Sequence, residues 1–244
     1  MGVRLSMVKM LSRLPGENNN NYSYRAIKEG ILSLELLPGQ LLSVGELTEA
    51  LKVSSTPIKS ALWKLHQEHL VDVIPQVGSY VSRINLELVE EASFMWFDLE
   101  KKYLKSACNY FSEENVDQLR RNLDLQEMLL FQQNTLSPKK MTRQFNELDD
   151  GFHSIIFRGH HRDNTWKAIS RMNMDYHRMI IFSQHHFEQM IAEHRNILSI
   201  IENKEMERVE DTLKKHIFKP LDYWRRYKEG ICEKNERKIF MATT

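Results

Sequence analysis

Apolar residues in the first third of the chain recur at every third or fourth position, which is the spacing of one face of an α-helix. The first stripe follows the polar run ENNNN, ends at Leu37-Pro38-Gly39, and consists of Tyr24, Ile27, Ile31 and Leu34. A short second helix is predicted after Ser43, because Ser43 and Glu46 have the spacing of a capping box. A third helix is predicted from Thr56-Pro57, a typical N-cap and first helical position, to about His69.

The pattern then becomes rich in β-branched residues on both sides of a turn signal. Val71, Val73 and Ile74 precede the segment Pro75-Gln76-Val77-Gly78, and Tyr80, Val81 and Ile84 follow it. This predicts an antiparallel hairpin. Three helices, with a short link between the second and third, and a two-stranded wing make a winged helix-turn-helix over residues 22–85. The ordinary task of that fold is to place its third helix in the major groove of DNA.

After Asn85 the apolar positions return to helical spacing, and short polar joints such as GHHRDN separate the segments. Six helices are predicted: one through Phe94 to Ala107, one opened by Ser112, one opened by Ser137-Pro138, one from Asn164 to Ile180, one from near His186 to Ile201, and one from Met206 to Trp224. The fold class is therefore mainly α, with an N-terminal winged helix-turn-helix and a C-terminal all-helical antiparallel bundle. The predicted divisions are a flexible arm over 1–21, the winged unit over 22–85, the bundle over 86–230 and a tail over 231–244.

Composition excludes several classes of protein. The chain has 244 residues, 41% of them hydrophobic, which is enough for packed cores. Two distant cysteines provide neither a disulfide framework nor a cysteine zinc finger, so a reducing cytoplasm is the expected location. No apolar run reaches the length of a membrane helix, and no membrane partner is expected. The 34 basic and 33 acidic residues nearly balance, so the net charge of the chain does not indicate a particular class of binding partner.

Histidines concentrate in the second half of the chain and suggest a metal site. Asp149 and His153 are four residues apart on a predicted helix, so both project from one face. His194 and His216 fall within inward apolar patterns of two later helices. One carboxylate and three imidazoles suit a divalent metal, with zinc as the first choice and nickel, manganese or iron as alternatives. The other interpretation is that each histidine is a hydrogen-bonded core residue.

The segments LLPGQLLS, ELTEALKVSSTPIKSAL and GSYV resemble the winged-helix domain of GntR-type bacterial transcription regulators. LEKKYLKSA, DDGFHSIIF, EHRNIL and the histidine of LKKHI resemble the FCD ligand-binding domain of the FadR branch. The resemblance implies that Asp149, His153, His194 and His216 bind a metal, with Asp150, His177 and His186 as substitutes or supporting groups. It also implies a cytoplasmic homodimer on a double-stranded, pseudo-palindromic operator, acting as a repressor or an activator, and a small organic acid as effector.

The sequence departs from this family at the effector pocket. An arginine that precedes Leu-Glu by three residues in the family is Trp96 here, before Leu99-Glu100. Arg171 or Arg178 would then supply the missing positive charge, or Trp96 would line a more apolar pocket. Trp96 as simple core packing is an equal alternative.

The DNA-binding half departs as well, because Gly45, Ser55 and Lys59 stand where family members often carry arginines. Nine basic and seven acidic residues between Met1 and Asn85 leave a net charge of +2. The candidate DNA contacts are polar or basic residues of the helices and wing: Lys28, Lys52, Ser54, Ser55, Thr56, Lys59, Lys64, Gly78 and Ser79.

The sequence is also compatible with two functions other than an acid-responsive regulator. Three histidines and an aspartate could hold a hydrolytic zinc, but no HExxH spacing marks a general base, so the chain is not expected to be an enzyme. A purely structural metal, in a regulator without an acid effector, is the other alternative.

Overall fold

The computed structural model describes residues 11–132, 135–182 and 187–226, and the chain divides after Asn85 into two compact units. The first unit consists of α1 (Asn19–Leu32), α2 (Val44–Leu51), α3 (Ser55–Gln67), β1 (Val71–Ile74) and β2 (Gly78–Val81). The two strands pair antiparallel, with Val71 opposite Val81 and Ile74 opposite Gly78. This is the predicted winged helix-turn-helix.

The core of the first unit lies between α1 and α3. Ile27 and Ile31 on α1, and Ile58 and Leu65 on α3, have no exposed surface. Burying an aliphatic side chain of this size contributes about 1.5–3 kcal/mol. The apolar stripes seen in the sequence are therefore the contact faces of these two helices, and the remaining face of α3 stays in solvent.

Two predicted helix starts are corrected by the structure. The first helix begins at Asn19 rather than near Tyr22, because the Asn18 side chain caps it by accepting the Asn21 N–H at 2.9 Å. α3 begins at Ser55, with Ser54 rather than Thr56 at the N-cap position. Pro57 is tolerated there because the first N–H groups of a helix have no partner inside it. Residues 1–10 of the predicted arm and the predicted tail 231–244 lie outside the described residues.

The second unit is helical throughout its described part. Its elements are α4 (Leu86–Asn109), α5 (Glu113–Phe131), α6 (Pro138–Arg158), α7 (Asp163–Met172), α8 (Met174–Phe182), α9 (Phe187–Asn203), a 3-10 turn (Met206–Arg208) and α10 (Val209–Arg226). Ser112 and Ser137 cap α5 and α6 as predicted. The fourth predicted helix is in fact two, because α7 ends at Met172, with Asn173 as its C-cap, and α8 begins at Met174. The sixth begins with the 3-10 turn rather than directly as an α-helix.

α4 is the central helix of this unit, and it packs against α6, α7, α8, α9 and α10. Its inward face carries Trp96, Glu100 and Leu104, each with 1% or less of its surface exposed. A buried glutamate is unusual, and a charge in this position needs hydrogen-bonding partners. None of the helices in the described part of the chain is both long and apolar enough to cross a membrane.

Candidate functional site

The predicted DNA contacts at the α2–α3 turn form an exposed polar surface. Lys52 ends α2 with φ 54°, and Ser54 precedes α3. Ser55, Thr56 and Lys59 follow on the first turns of α3, and all five are exposed. The tight turn, made by Lys52 in the left-handed region, places these donors side by side at the beginning of the third helix.

Lys28 and Lys64 lie in a different setting, in a cluster that links α1 to α3. The Lys28 Nζ atom is 2.7 Å from a carboxylate oxygen of Glu68. The Tyr24 hydroxyl donates to the same carboxylate at 2.6 Å, and the Lys64 Nζ atom lies 3.8 Å from the centre of the Tyr24 ring. Both lysines therefore have intramolecular partners, unlike the exposed lysines of the α2–α3 turn.

The wing prediction needs a correction of two residues. Gly78 and Ser79 belong to strand β2, where Ser79 pairs with Val73. The exposed tip is formed instead by Pro75, Gln76 and Val77. Glycine is required at 78 because its φ is 156° and a Cβ there would lie 3.0 Å from the Leu41 side chain.

In the second unit, α6, α9 and α10 bring together the four candidate metal ligands. The Asp149 Oδ1 atom lies 3.3 Å from His194 Nε2 and 4.0 Å from His153 Nε2. His153 Nε2 lies 3.1 Å from His216 Nε2. All four residues are buried, and their donor atoms fall within 4.8 Å of one another. The structure thus assembles the set that spacing and resemblance had indicated.

Each of the three imidazoles is oriented by a hydrogen bond from its other nitrogen. His153 Nδ1 lies 2.7 Å from Glu100 Oε1, and His216 Nδ1 lies 3.0 Å from Glu193 Oε2. A carboxylate only accepts, so both imidazoles carry their proton on Nδ1 and direct the Nε2 lone pair toward the centre. This is the arrangement in which a histidine serves as a metal ligand.

The third imidazole is held by an amide whose orientation is fixed by a chain of hydrogen bonds. His194 Nδ1 lies 2.8 Å from Gln126 Oε1. The Gln126 amide nitrogen donates to Asn122 Oδ1 at 2.7 Å, and Asn122 Nδ2 donates to the Leu148 carbonyl at 3.0 Å. Gly151 permits this approach of α5 to α6, because a Cβ there would lie 3.0 Å from Asn122 Nδ2. His194 therefore also presents the Nε2 lone pair to the centre.

The electrostatics of the cluster keep its ligand atoms available. Burial lowers the pKa of His194 to about 4, so that imidazole is neutral near pH 7. Burial alone would raise the pKa of Asp149, but the three surrounding imidazoles hold it well below its usual value. Burial likewise opposes protonation of His153, yet the Glu100 carboxylate raises the pKa of His153 above its usual value. A metal ion that binds here therefore competes with a proton on His153.

The donor set fits a divalent cation. With all three imidazoles protonated at Nδ1, the lone pairs of His153 and His216 would face each other at 3.1 Å, which is repulsive without a cation or proton between them. Asp149 Oδ1 and His194 Nε2 are buried and lack a hydrogen-bond partner of acceptable geometry. Three nitrogen ligands and one carboxylate suit zinc, nickel, manganese or iron.

Trp96 lies against this cluster and packs inside the helical unit. Its indole N–H donates to Glu100 Oε2, so Glu100 links Trp96 to His153. The Trp96 ring centre is 4.7 Å from that of His153 and 5.4 Å from that of Tyr176, in edge-to-face contacts. Trp96 thus lies next to the candidate ligand His153 and orients the carboxylate behind it.

The other residues predicted for the site are not among the four candidate ligands. Arg171 is exposed near the end of α7. Arg178 is buried but pairs with Asp175, three residues earlier, at 2.7 Å. Asp150 accepts a hydrogen bond from Ser170 at 2.7 Å and is absent from the cluster. His177 is half-buried outside the ligand set, and His186 lies outside the described residues.

The supporting residues Glu100 and Gln126 were not identified as such from the sequence. Glu100 comes four residues after Trp96, and Gln126 three residues after Leu123, so both stand at inward positions of apolar helical stripes. A polar residue at such a position is the sequence signal that could have found them. It indicates burial with a partner, but the partner itself is set by another helix.

The sequence of this chain is similar to those of known bacterial transcription regulators. Residues 23–81 match the family described as "Bacterial regulatory proteins, gntR family", and residues 95–219 match the "FCD domain". The HTH-type transcriptional repressor RspR of Escherichia coli (strain K12) is 27% identical over 206 residues, which cover 83% of this chain and 87% of that protein. An uncharacterized HTH-type regulator of Streptomyces ambofaciens is 27% identical over 211 residues, 85% of each chain.

Two solved structures share the fold at low sequence identity. E. coli McbR/YncC superposes with a TM-score of 0.67 at 16% identity, over 86% of this chain and 99% of that one. A transcriptional regulator from Rhodococcus sp. RHA1 superposes with a TM-score of 0.64 at 16% identity, over 87% and 99%. With both domains matched in order and most of its length covered, the chain belongs to the GntR family of bacterial regulatory proteins, as a DNA-binding transcription regulator with an FCD domain.

Proposed function

We propose that this regulator binds a divalent cation at Asp149, His153, His194 and His216, with zinc as the first choice. We also propose that its DNA binding depends on that cation. The observation that supports the proposal is the orientation of the three imidazoles, each with Nδ1 at 2.7–3.0 Å from an oxygen acceptor. When bound, the cation supplies a positive charge that neutralises the Asp149 carboxylate and the facing lone pairs.

The position of the ligands explains how occupancy would affect the whole helical unit. Asp149 and His153 belong to α6, His194 to α9 and His216 to α10, so a cation joins three helices. Since a group that binds the folded state stabilises it, the helical unit is more rigid when loaded. Switching between loaded and empty states changes the unit that follows the DNA-binding domain along the chain.

A small organic acid bound at the metal is a second candidate effector, favoured by the match to the FCD domain. Trp96 stands in place of an arginine, Arg171 is exposed, and Arg178 is paired with Asp175. An acid would therefore rely on the cation rather than on an arginine for its carboxylate. This makes a metal-dependent regulator without an acid effector the function that the geometry supports better.

We propose that the exposed residues of the α2–α3 turn contact the operator. Support comes from the exposure of Lys52, Ser54, Ser55, Thr56 and Lys59 at the start of α3, because the third helix of this fold ordinarily enters the major groove. Lys28, Lys64, Gly78 and Ser79 are secondary candidates, given their intramolecular partners and their place in β2. A homodimer on a pseudo-palindromic operator and a repressor role complete the proposal, the latter by analogy with RspR.

The test uses the full-length protein and a duplex selected from a random pool by that protein. Elemental analysis should find about one divalent ion per chain, and a chelator should weaken binding to the selected duplex until the ion is restored. Binding that is unchanged after complete removal of the ion would reject metal dependence. A panel of mono- and dicarboxylic acids, added to loaded protein, then tests the second candidate by thermal shift and by release of DNA.

A further inference from the structure

Trp63 is a large apolar side chain on the solvent side of the DNA-binding unit. It lies on α3 with 60% of its surface exposed. The other tryptophans of the chain are buried: Trp96 is 1% exposed, Trp166 6% and Trp224 2%. The predicted metal and DNA contacts do not account for Trp63.

The ring lies on the same face of α3 as the proposed DNA contacts. Successive residues of an α-helix are rotated by about 100°, so Trp63, four residues after Lys59 and seven after Thr56, shares their side. The buried residues Ile58 and Leu65 point the other way. Trp63 therefore lies on the same side of α3 as these contacts, one turn beyond Lys59 toward the C-terminal end of the helix.

The position of the indole is supported from one side. The Trp63 and His66 ring centres are 5.5 Å apart, with the planes inclined at 45°. His66 itself is held by a contact of 2.8 Å between its Nδ1 atom and the Val71 carbonyl at the beginning of β1. A ring supported in this way loses less conformational entropy on binding than a free side chain.

The charges around Trp63 favour DNA as the occupant. Lys59 is one turn away on the same face, with Ser55 and Thr56 beside it, and these groups donate to phosphates or base edges. Lys64 is turned toward Tyr24 instead. The face thus combines one cation and short polar donors with an apolar ring. The apolar feature that a major groove offers to such a ring is the C5-methyl group of thymine.

We propose that Trp63 is a base-reading residue whose indole packs against thymine methyl groups in the operator. The inference rests on the proposed DNA-binding role of α3 and extends it to a residue that carries no charge. Because this contact is apolar, it contributes affinity and sequence preference without adding to the salt dependence that lysine–phosphate contacts produce.

The first measurement uses the exposure of this tryptophan. Acrylamide quenches the fluorescence of exposed indoles, so Trp63 should dominate the quenchable signal of the metal-loaded, full-length protein. Adding the duplex selected from a random pool should reduce that quenching, and the Trp63→Phe protein should lack the change. Undiminished quenching in the saturated complex would place Trp63 outside the interface and overturn the proposal.

The second measurement identifies the group that Trp63 contacts. The selected duplex is compared with copies in which single thymines are replaced by uracil, which removes only the methyl group. Wild-type protein should bind roughly tenfold more weakly when the thymine at one or two particular positions is replaced by uracil. The Trp63→Ala protein should bind the unmodified duplex roughly tenfold more weakly than wild type does. The Trp63→Ala protein should show no further loss with uracil, and its salt slope should equal that of wild type.

Two controls separate this inference from the wider proposal. Tyr110→Ala, an 80% exposed aromatic residue in the helical unit, should leave DNA affinity unchanged. Lys59→Ala tests the α3 face itself: if it weakens binding while Trp63→Ala does not, only the Trp63 contact is wrong. If neither has an effect, the proposed use of α3 fails. Equal uracil effects in wild type and Trp63→Ala would reject the thymine contact.

Discussion

The Glu100 carboxylate bridges Trp96 and His153, accepting the indole N–H with one oxygen and lying 2.7 Å from the histidine Nδ1 with the other. Neither oxygen is exposed to solvent, since the Glu100 side chain is fully buried. Trp96 is thus part of the support of a candidate metal ligand. Against the effect of burial, the Glu100 carboxylate raises the pKa of His153, and it fixes the nitrogen that His153 offers to a cation.

Replacing Glu100 by glutamine should weaken metal binding about 10- to 100-fold, the usual cost of removing such a supporting group. A glutamine has only one acceptor oxygen, so its amide would meet either the Trp96 N–H or the His153 N–H with another donor. Competition with a chromogenic chelator measures the affinity. Asp98→Asn, on an exposed carboxylate of the same helix, is the control and should bind metal like wild type.

Replacing Asp149 by asparagine should abolish the stabilisation that metal gives to the helical unit. At a free metal concentration of 100 times Kd, a bound ion stabilises the folded state by about 2.7 kcal/mol. Chelation should therefore lower the Tm of wild type by several degrees and leave that of the variant unchanged. A variant that loses as much stability on chelation as wild type does would show that Asp149 is not a ligand.

Acid should destabilise the metal-free protein through His194. Its pKa is about 4 when folded and 6.5 ordinarily, so between these values the unfolded chain binds a proton that the folded one refuses. The contribution of His194 to the free energy of unfolding is thus fully present above pH 6.5. It falls as pH drops toward 4, by up to about 3 kcal/mol. His153, with a raised pKa, acts in the opposite direction.

A comparison of wild type with the His194→Gln protein separates the effect of His194 from that of His153, because both proteins contain His153 and only wild type contains His194. The difference in the free energy of unfolding between the two proteins, measured with denaturant in chelator, should change with pH between 7 and 4. The change should disfavour wild type at the acidic end. Parallel curves would contradict the assignment of the loss to His194.

Lys59 should contribute more to the salt dependence of DNA binding than the secondary candidate Lys28. Removing one lysine–phosphate interaction lowers the magnitude of the slope of log K against log salt by about 0.9. Lys59→Ala should show that decrease. Lys28→Ala is the matched control, because its ammonium group is 2.7 Å from the Glu68 carboxylate and is already engaged. A smaller slope in the Lys28 variant would mean that the pair opens on DNA.

The helical stripes and capping residues were readable in the sequence because they depend on neighbours along the chain. Ser43, Ser112 and Ser137 cap helices as their spacing predicted. The errors lie where local signals compete. Asn18 begins α1 inside a run that composition assigns to an arm, and Asn173 separates α7 from α8 within a continuous apolar pattern.

The order of domains, the faces of the helices and the four candidate ligands could be predicted before the fold was known, since periodicity and motifs are properties of the chain. Tertiary structure alone decided what supports those ligands: Glu100 comes from α4, Gln126 from α5 and Glu193 from α9. It also turned Lys64 toward Tyr24 and left Trp63 in solvent. The physical reason is that periodicity tells which side of a helix faces inward, whereas the group it meets there depends on how another helix packs against it.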